Sequence, residues 1–496
     1  MTVPFPPHYY SPYTGCAAIS CRIHPAIVHR KSQSDNVICS VGMRTLDRPR
    51  VEQLLVRERE AFANAHPRSA TAHAGAQPHL LGGVPMTWMN KAAGGFPLYL
   101  DRARGARVTD IDGHEYVDFA LGDTGAMAGH SPEPLIAAVR AHLELDGGIA
   151  AMMPTENAAW VGRELGRRFG LPLWSFTLTA TDANRWAIRL ARQVTGRPRI
   201  LVNAWCYHGS VDETFALSGP DGRAVARPGN VGAPVDLATT TRVVEYNDAE
   251  TLARELSYGD VAAVLMEPAL TNIGIVLPEP GYLETVRELT REHGTLLIND
   301  ETHTFSAGPG GATRAWSLDP DAVTIGKAIA GGIPAGAFGV SEGLAERIQA
   351  QKDADLVDTG GVGGTLAGNP LSTVAMRATL EHVLTDEAFD GMERRATRFA
   401  AGVQDAIDRS GVPWSVVQLG ARMEYRFASP APRSGGESAA AADPDIDDFL
   451  HTYLANRGVL LTPFHNMALM SPETTDEDVD RHTELFAAAV GELVAA

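Results

Sequence analysis

Lys327 ends the run DAVTIGK (321–327) and is followed by AIAGGIPAG, so one ammonium stands among small and apolar side chains. Apolar surroundings favour a nucleophilic amine, which can form a Schiff base with an aldehyde. Asp300 ends a second apolar run, TLLIND (295–300). Two strands of one sheet would deliver that carboxylate and that amine to a single crevice, because ligands on such sheets sit beyond the carboxyl ends of the strands. Pyridoxal phosphate requires this pair: a lysine for its aldehyde and a buried carboxylate that keeps its ring nitrogen protonated. A phosphate handle is present too. TLTATDANRWAIRLARQVTG (177–196) places Thr179 and Thr181 ahead of a helical face formed by Ala183, Ala187, Leu190, Ala191 and Val194. Thr179 and Asp182 have the spacing of a capping box, and a helix N-terminus with hydroxyls and free N–H groups binds phosphate.

Such residues need a frame, and the chain supplies one. GARVTDIDGHEYVDFALG (105–122) reads as two short strands around a DIDG turn. PEPLIAAVRAHLEL and ENAAWVGRELGRRFG have helical spacing, and then strand-like runs alternate with helical ones: RILVNAW, VAAVLMEP, GYLETVRELTREHG, TLLINDE and DAVTIGK. That rhythm predicts an α/β fold with a mostly parallel sheet. The expected division is an extension over 1–42, an N-terminal segment over 43–120 with a helix from Arg44 onward, a large domain over 121–370, and a small domain over 371–496. Residues 429–445, SPAPRSGGESAAAADPD, are read as a mobile loop because bulky side chains are scarce.

Composition narrows the function. The chain has 496 residues, 44% of them apolar and 21% charged, with a formal net charge of −18 and no run of Lys or Arg long enough to track a phosphate backbone. Nucleic acid is not expected as a partner. No apolar segment approaches the length of a membrane span and no signal peptide core precedes the fold, so a cytoplasmic protein without a membrane is expected. Cys16, Cys21 and Cys39 crowd the polar, Pro-rich start with His24 and His29, in a spacing that fits no zinc site, and no metal is expected. That extension, over 1–42, is expected to be disordered.

From about residue 80 onward the chain resembles the class III, fold-type I pyridoxal-phosphate-dependent aminotransferases, and within them the glutamate-1-semialdehyde aminomutase-like and β-amino-acid aminotransferase branch. The cues are DGHEYVDF, GHSPEPLIAAV, AIRLARQVTGRPRI, YHG (207–209), EP (267–268), NDE (299–301), GKAIAGGIPAGAFG (326–339) and GTLAGNP (364–370), all in register. The resemblance implies a large domain with a mostly parallel sheet and a smaller α+β domain built from the N- and C-terminal segments. It makes Lys327 the Schiff-base and proton-transfer residue and Asp300 the partner of the ring nitrogen. Tyr207 and Thr302 would pack on the two ring faces, with His208 and Glu267 beside them. Thr179, Ala180 and Thr181 would cradle the phosphate, and Thr365 would reach a phosphate across the boundary of a homodimer with shared active sites.

Some positions depart from that pattern. Ala180 stands where the family carries glycine, and alanine disfavours left-handed backbone, so an altered turn is expected. Thr302 replaces a valine, and His303 follows where an apolar or amide residue is usual. An arginine expected near LLGGVPMTWMN (80–90) is absent, and Trp88 stands there instead, pointing to a bulkier or less acidic substrate. Asp123, His303, His465 and Arg422 are the other substrate candidates. The first reading is a transaminase that passes nitrogen from a small amine or amino acid, β- or ω-amino included, to a keto acid by a ping-pong mechanism. The alternatives are an aminomutase or racemase, which needs no second substrate, and a catalytically silent cofactor-binding scaffold.

Overall fold

The apolar runs become strands because both of their faces are covered. Val261–Met266, Leu296–Asp300, Ala322–Ile325 and Gly336–Val340 are buried at every position. The computed structural model describes residues 46–232, 235–350 and 361–495. The residue 1–42 extension and its three cysteines lie outside them, and Cys206 is buried.

Seven strands form the central sheet in the order Leu173–Thr177, Gly336–Val340, Ala322–Ile325, Leu296–Asp300, Val261–Met266, Arg199–Asn203 and Thr241–Val244. Gly336–Val340 runs antiparallel to both neighbours, and the other pairings are parallel. The register sets Asp300 level with Thr324, three residues before Lys327. Both functional groups therefore leave the sheet at the same end. The helix Ala180–Thr195 packs Ala183, Asn184, Ala187, Ile188 and Ala191 inward, and it ends at Gly196 in the left-handed region.

Distant segments meet in a second region. Leu100–Arg104, Arg107–Asp110 and Glu115–Asp118 form an antiparallel ribbon, and Val459–Leu460 joins its edge in parallel. Ser415–Leu419, Arg422–Arg426 and Met467–Leu469 form a further small sheet. The helix Arg48–Ala65 is tied to the C-terminal part through Glu58, which accepts from Asn456 at 2.8 Å and from Arg457 at 2.9 Å. The expected helix is interrupted at His66 by the helix Pro67–Ala76, because proline fits the first turn of a new helix better than the interior of an old one.

The stretch 429–445 differs from its expectation as a mobile loop. Gly435–Ala440 is helical, capped by Ser434, which accepts from the Glu437 N–H at 3.1 Å. Low bulk here serves close packing: a side chain on Gly435 would meet the Ala204 carbonyl at 2.5 Å. Among the described residues, no helix is long and apolar enough to cross a membrane.

Candidate active site

Beyond the strand ends lies a cavity of about 310 Å³, and its wall gathers Trp88, Thr179, Ala180, Thr181, Tyr207, Asp300, Thr302, His303 and Lys327. These come from five separate stretches of chain, and all were named from the sequence.

Lys327 lies beyond the strand it was expected to close. The strand ends at Ile325, and Lys327 opens the short turn Lys327–Ala330 with φ +49°. A left-handed lysine is strained, and here the strain turns the side chain back over the sheet end. Its Nζ lies 2.8 Å from Asp123 Oδ2 and 2.7 Å from His303 Nε2.

Asp300 is fully enclosed. Its Oδ2 accepts from Asn184 Nδ2 and from His208 Nδ1, each at 2.8 Å. Its Oδ1 accepts from the Thr302 hydroxyl at 2.6 Å and the Thr302 N–H at 3.1 Å. Burial pushes the carboxyl up, but His208, Thr302 and Asn184 outweigh it and hold Asp300 below the usual carboxylate range. Burial works against charge on His208 as well, yet the Cys206 sulfur and the Asp300 carboxylate raise it well above the ordinary imidazole value. The valine-to-threonine departure thus gives Asp300 one of its four hydrogen bonds, through the hydroxyl; the backbone N–H would be there with valine too.

At the other end of the cavity is the start of the Ala180–Thr195 helix. Thr179 Oγ1 accepts from the Asp182 N–H at 3.2 Å, and the Asp182 carboxylate meets the Thr179 hydroxyl rather than the backbone, so half of the capping box forms. Ala180 is an ordinary first helical residue and is absent from the left-handed positions, so the altered turn expected from alanine does not arise. Gly326 makes room instead: a Cβ there would lie 2.9 Å from the Ala180 nitrogen. Thr181 Oγ1 accepts from the Ser210 N–H at 3.1 Å, and a Cβ on Gly209 would lie 2.1 Å from that oxygen.

Other expected residues stand behind the wall. Glu267 accepts from the Tyr207 N–H at 3.4 Å and from the Thr271 N–H at 3.1 Å, so it anchors the turn that carries Tyr207. His208 is bonded to Asp300 and does not reach the cavity wall itself. Arg422 was expected at the substrate, but it is 1% exposed and spends its Nη2 on Thr124 and on His303 Nδ1. His465 pairs with Glu424 at 3.3 Å. Thr365 lines a different pocket, of about 350 Å³, with Arg185, Arg189, Gly361 and residues 363–367. Trp88 meets Tyr207 edge-on at 5.4 Å and Phe464 at 5.6 Å.

Sequence reasoning missed Asn184 and Thr124. Asn184 links Thr324, at 2.6 Å, to Asp300. Its signal was a lone amide on the otherwise apolar buried face of an amphipathic helix. Thr124 sits in an irregular loop and gave none.

Comparison with known proteins agrees with this arrangement. Residues 88–490 match the class-III aminotransferase family. The chain belongs to that family. It is 34% identical over 426 residues to glutamate-1-semialdehyde 2,1-aminomutase 2 of Brevibacillus brevis, covering 84% of this chain and 96% of that protein. A glutamate-1-semialdehyde-aminomutase variant from Pseudomonas aeruginosa PAO1, solved in complex with PMP, shares 48% identity at a TM-score of 0.88, covering 90% of this chain and 99% of that one. An omega-transaminase from Sphaerobacter thermophilus shares 29% identity at a TM-score of 0.77, covering 86% and 98%. The fold is that of the fold-type I enzymes, and the cofactor of this class-III chain is pyridoxal 5'-phosphate.

The chain's own groups fit that cofactor. A helix start with two threonine hydroxyls suits a phosphate, an ionised carboxylate on the cavity wall suits a protonated ring nitrogen, and Lys327 suits the aldehyde.

Proposed function

We propose that the protein moves an amino group within one small molecule, as an aminomutase of the glutamate-1-semialdehyde type. The observation that carries the reading is Lys327 Nζ at the wall of the same cavity as the Asp300 carboxylate and the Ala180–Thr195 helix start. The choice of aminomutase over the transaminase first read from the sequence is supported by relatives named for that reaction, at 34% and 48% identity. When bound, pyridoxal phosphate supplies an aldehyde that condenses with amines and a ring that draws electrons from the carbon bearing the nitrogen.

The residues divide the work. Asp300 holds a proton at the ring nitrogen, and His208, Asn184 and Thr302 keep Asp300 ionised. Thr179, Ala180 and Thr181 hold the phosphate, so the ring has one orientation. Lys327 takes a proton from one substrate carbon and returns it at another, with its Nζ steadied by Asp123. Tyr207 and Trp88 cover the cavity and exclude water. We further propose a homodimer in which Thr365 completes the neighbouring subunit's phosphate site.

A second reading, a transaminase acting on amines of low acidity, is favoured by the cavity wall: among its described residues there is no arginine to receive a substrate carboxylate. The experiment is turnover of glutamate-1-semialdehyde with and without pyruvate or 2-oxoglutarate. Product whose amino group has moved from C2 to C1, formed with no keto acid present, supports the aminomutase. A stoichiometric demand for keto acid, or turnover of other amines only, supports the transaminase.

A further inference from the structure

Asp123 and His303 were expected to face a substrate, yet both turn a polar atom to the lysine. His303 Nε2 is 2.7 Å and Asp123 Oδ2 is 2.8 Å from Lys327 Nζ. Which of these contacts donates is decided on the far side of the imidazole. Arg422 Nη2 stands 2.9 Å from His303 Nδ1, and a guanidinium only donates. Thr124 Oγ1 lies 2.9 Å from the same nitrogen and itself accepts from that Nη2. Nδ1 is therefore an acceptor, while Asp123 Oδ1, at 4.0 Å, is out of hydrogen-bonding reach of it. Arg422 is buried, so swinging it away would strand its donors. A neutral ring with a bare Nδ1 carries its proton on Nε2.

The surroundings keep the ring neutral. Burial first, then Arg422 and, while it is charged, Lys327, hold His303 well below the ordinary imidazole value, against the opposing pull of Asp123 and Asp300; burial and Arg422 act whichever form the lysine takes. These four are the leading charged groups that act on it.

We propose that His303 is a positioning residue for Lys327, donating its Nε2–H to the amine nitrogen while Asp123 accepts an amine hydrogen. An ammonium has no lone pair for such a bond, so the contact selects the free amine, which alone can attack an aldehyde or take a proton. The backbone brings in the opposing partner, a carboxylate that favours the charged lysine, so that His303 supplies the contact only the free amine can accept. Leu121, Gly122, Asp123 and Thr124 have φ of +42°, +56°, +50° and +83°. Four consecutive left-handed residues, three of them not glycine, are costly, and they bring the Asp123 carboxylate and the Thr124 hydroxyl to the lysine and histidine pair.

The proposal rests on the reading of Lys327 as the cofactor lysine. Its test is the rate at which the cofactor-free, full-length chain captures pyridoxal phosphate, followed by the visible absorption band from pH 6 to pH 10. His303→Leu removes the donor and should slow capture at pH 7 by about tenfold, the factor that loss of one hydrogen bond carries. The deficit should shrink toward pH 10, as lysine amines in general lose their proton. His303→Gln offers an amide N–H to the lysine and a carbonyl to Arg422, and should restore most of the rate. Wild-type capture by His303→Leu, or a deficit of one size at every pH, overturns the proposal. If His303→Leu does not fold, Arg422→Met frees Nδ1 and should give a smaller deficit with the same pH trend; wild-type behaviour there also overturns it. Lys327→Ala separates the two claims, because band formation at the wild-type rate in that variant overturns the cofactor reading of Lys327 itself.

Discussion

A carboxylate that must stay charged while fully buried needs partners, and Asp300 has four hydrogen bonds from Asn184, His208 and Thr302. Nothing in that set balances the charge except His208, itself fully buried. The pair is therefore an enclosed ion pair aimed at the cavity, a costly arrangement to keep unless a cation is to be received there. Asp300→Asn keeps the shape and removes the charge. We expect that variant to form the lysine-linked visible band and to lose turnover by roughly 10²- to 10⁴-fold, the range that a positioned proton-holding group contributes. A band together with unchanged turnover would mean that another group protonates the ring. At this scale the sequence was informative where a residue's type is unusual for its place. Lys327 among glycines and Asp300 at the end of an apolar strand stood out, and Asn184 would have by the same criterion. Arg422 misled, because an arginine near a pocket and an arginine buried behind it look alike until the strand Arg422–Arg426 is known to be buried at every position.

Elements explain the rest. The strands were legible as short apolar runs, and the antiparallel direction of Gly336–Val340 was not, since direction depends on connections rather than on side chains. The ordered helix at 435–440 was hidden by small residues that signal a linker in isolation and close packing in context. The start of the Ala180–Thr195 helix was found, but its alanine was misjudged, because the space that matters belongs to Gly326. Gly326→Ala should abolish cofactor capture, and adding Ala180→Gly should not restore it, since the nearest atom to the new methyl is the Ala180 backbone nitrogen. Restoration by the double variant would show that the Ala180 methyl is the obstacle instead.

The C-terminal helix Asp476–Val494 carries a different vulnerability. His482 stacks on Phe399 at 4.1 Å, neither of its ring nitrogens has a partner, and burial pushes it down to about 3. The folded state thus holds His482 neutral, whereas the unfolded chain protonates it below about 6.5. Stability from this residue is complete above that value and drains away as the pH falls toward 3. By pH 4 the loss is on the order of 3 kcal/mol. His482→Phe cannot take up a proton, so urea midpoints of the variant and the parent should diverge in its favour between pH 7 and pH 4. Parallel curves would mean that His482 is not kept neutral by the fold.

At the scale of the whole molecule, the question is what stands over the exposed apolar side chains and the second pocket. Leu145, Ile149, Met152 and Met153 are 81%, 56%, 81% and 72% exposed, a cluster that a solitary chain has little reason to display. Thr365 lies in its own pocket, away from the wall that holds Lys327. Both features are accounted for if two chains pair and each lends its Thr365 to the other's phosphate. Complementation tests this directly. Lys327→Ala and Thr365→Glu should each be inactive alone, the first for want of the amine and the second because a carboxylate repels phosphate. In a mixed dimer, one site then combines both defects, while the other combines an intact Lys327 with an intact Thr365. Activity should reappear on co-refolding or co-expression, together with a dimer's mass in sedimentation. If Thr365 served its own chain's site, every site in the mixture would keep one defect and no activity would return.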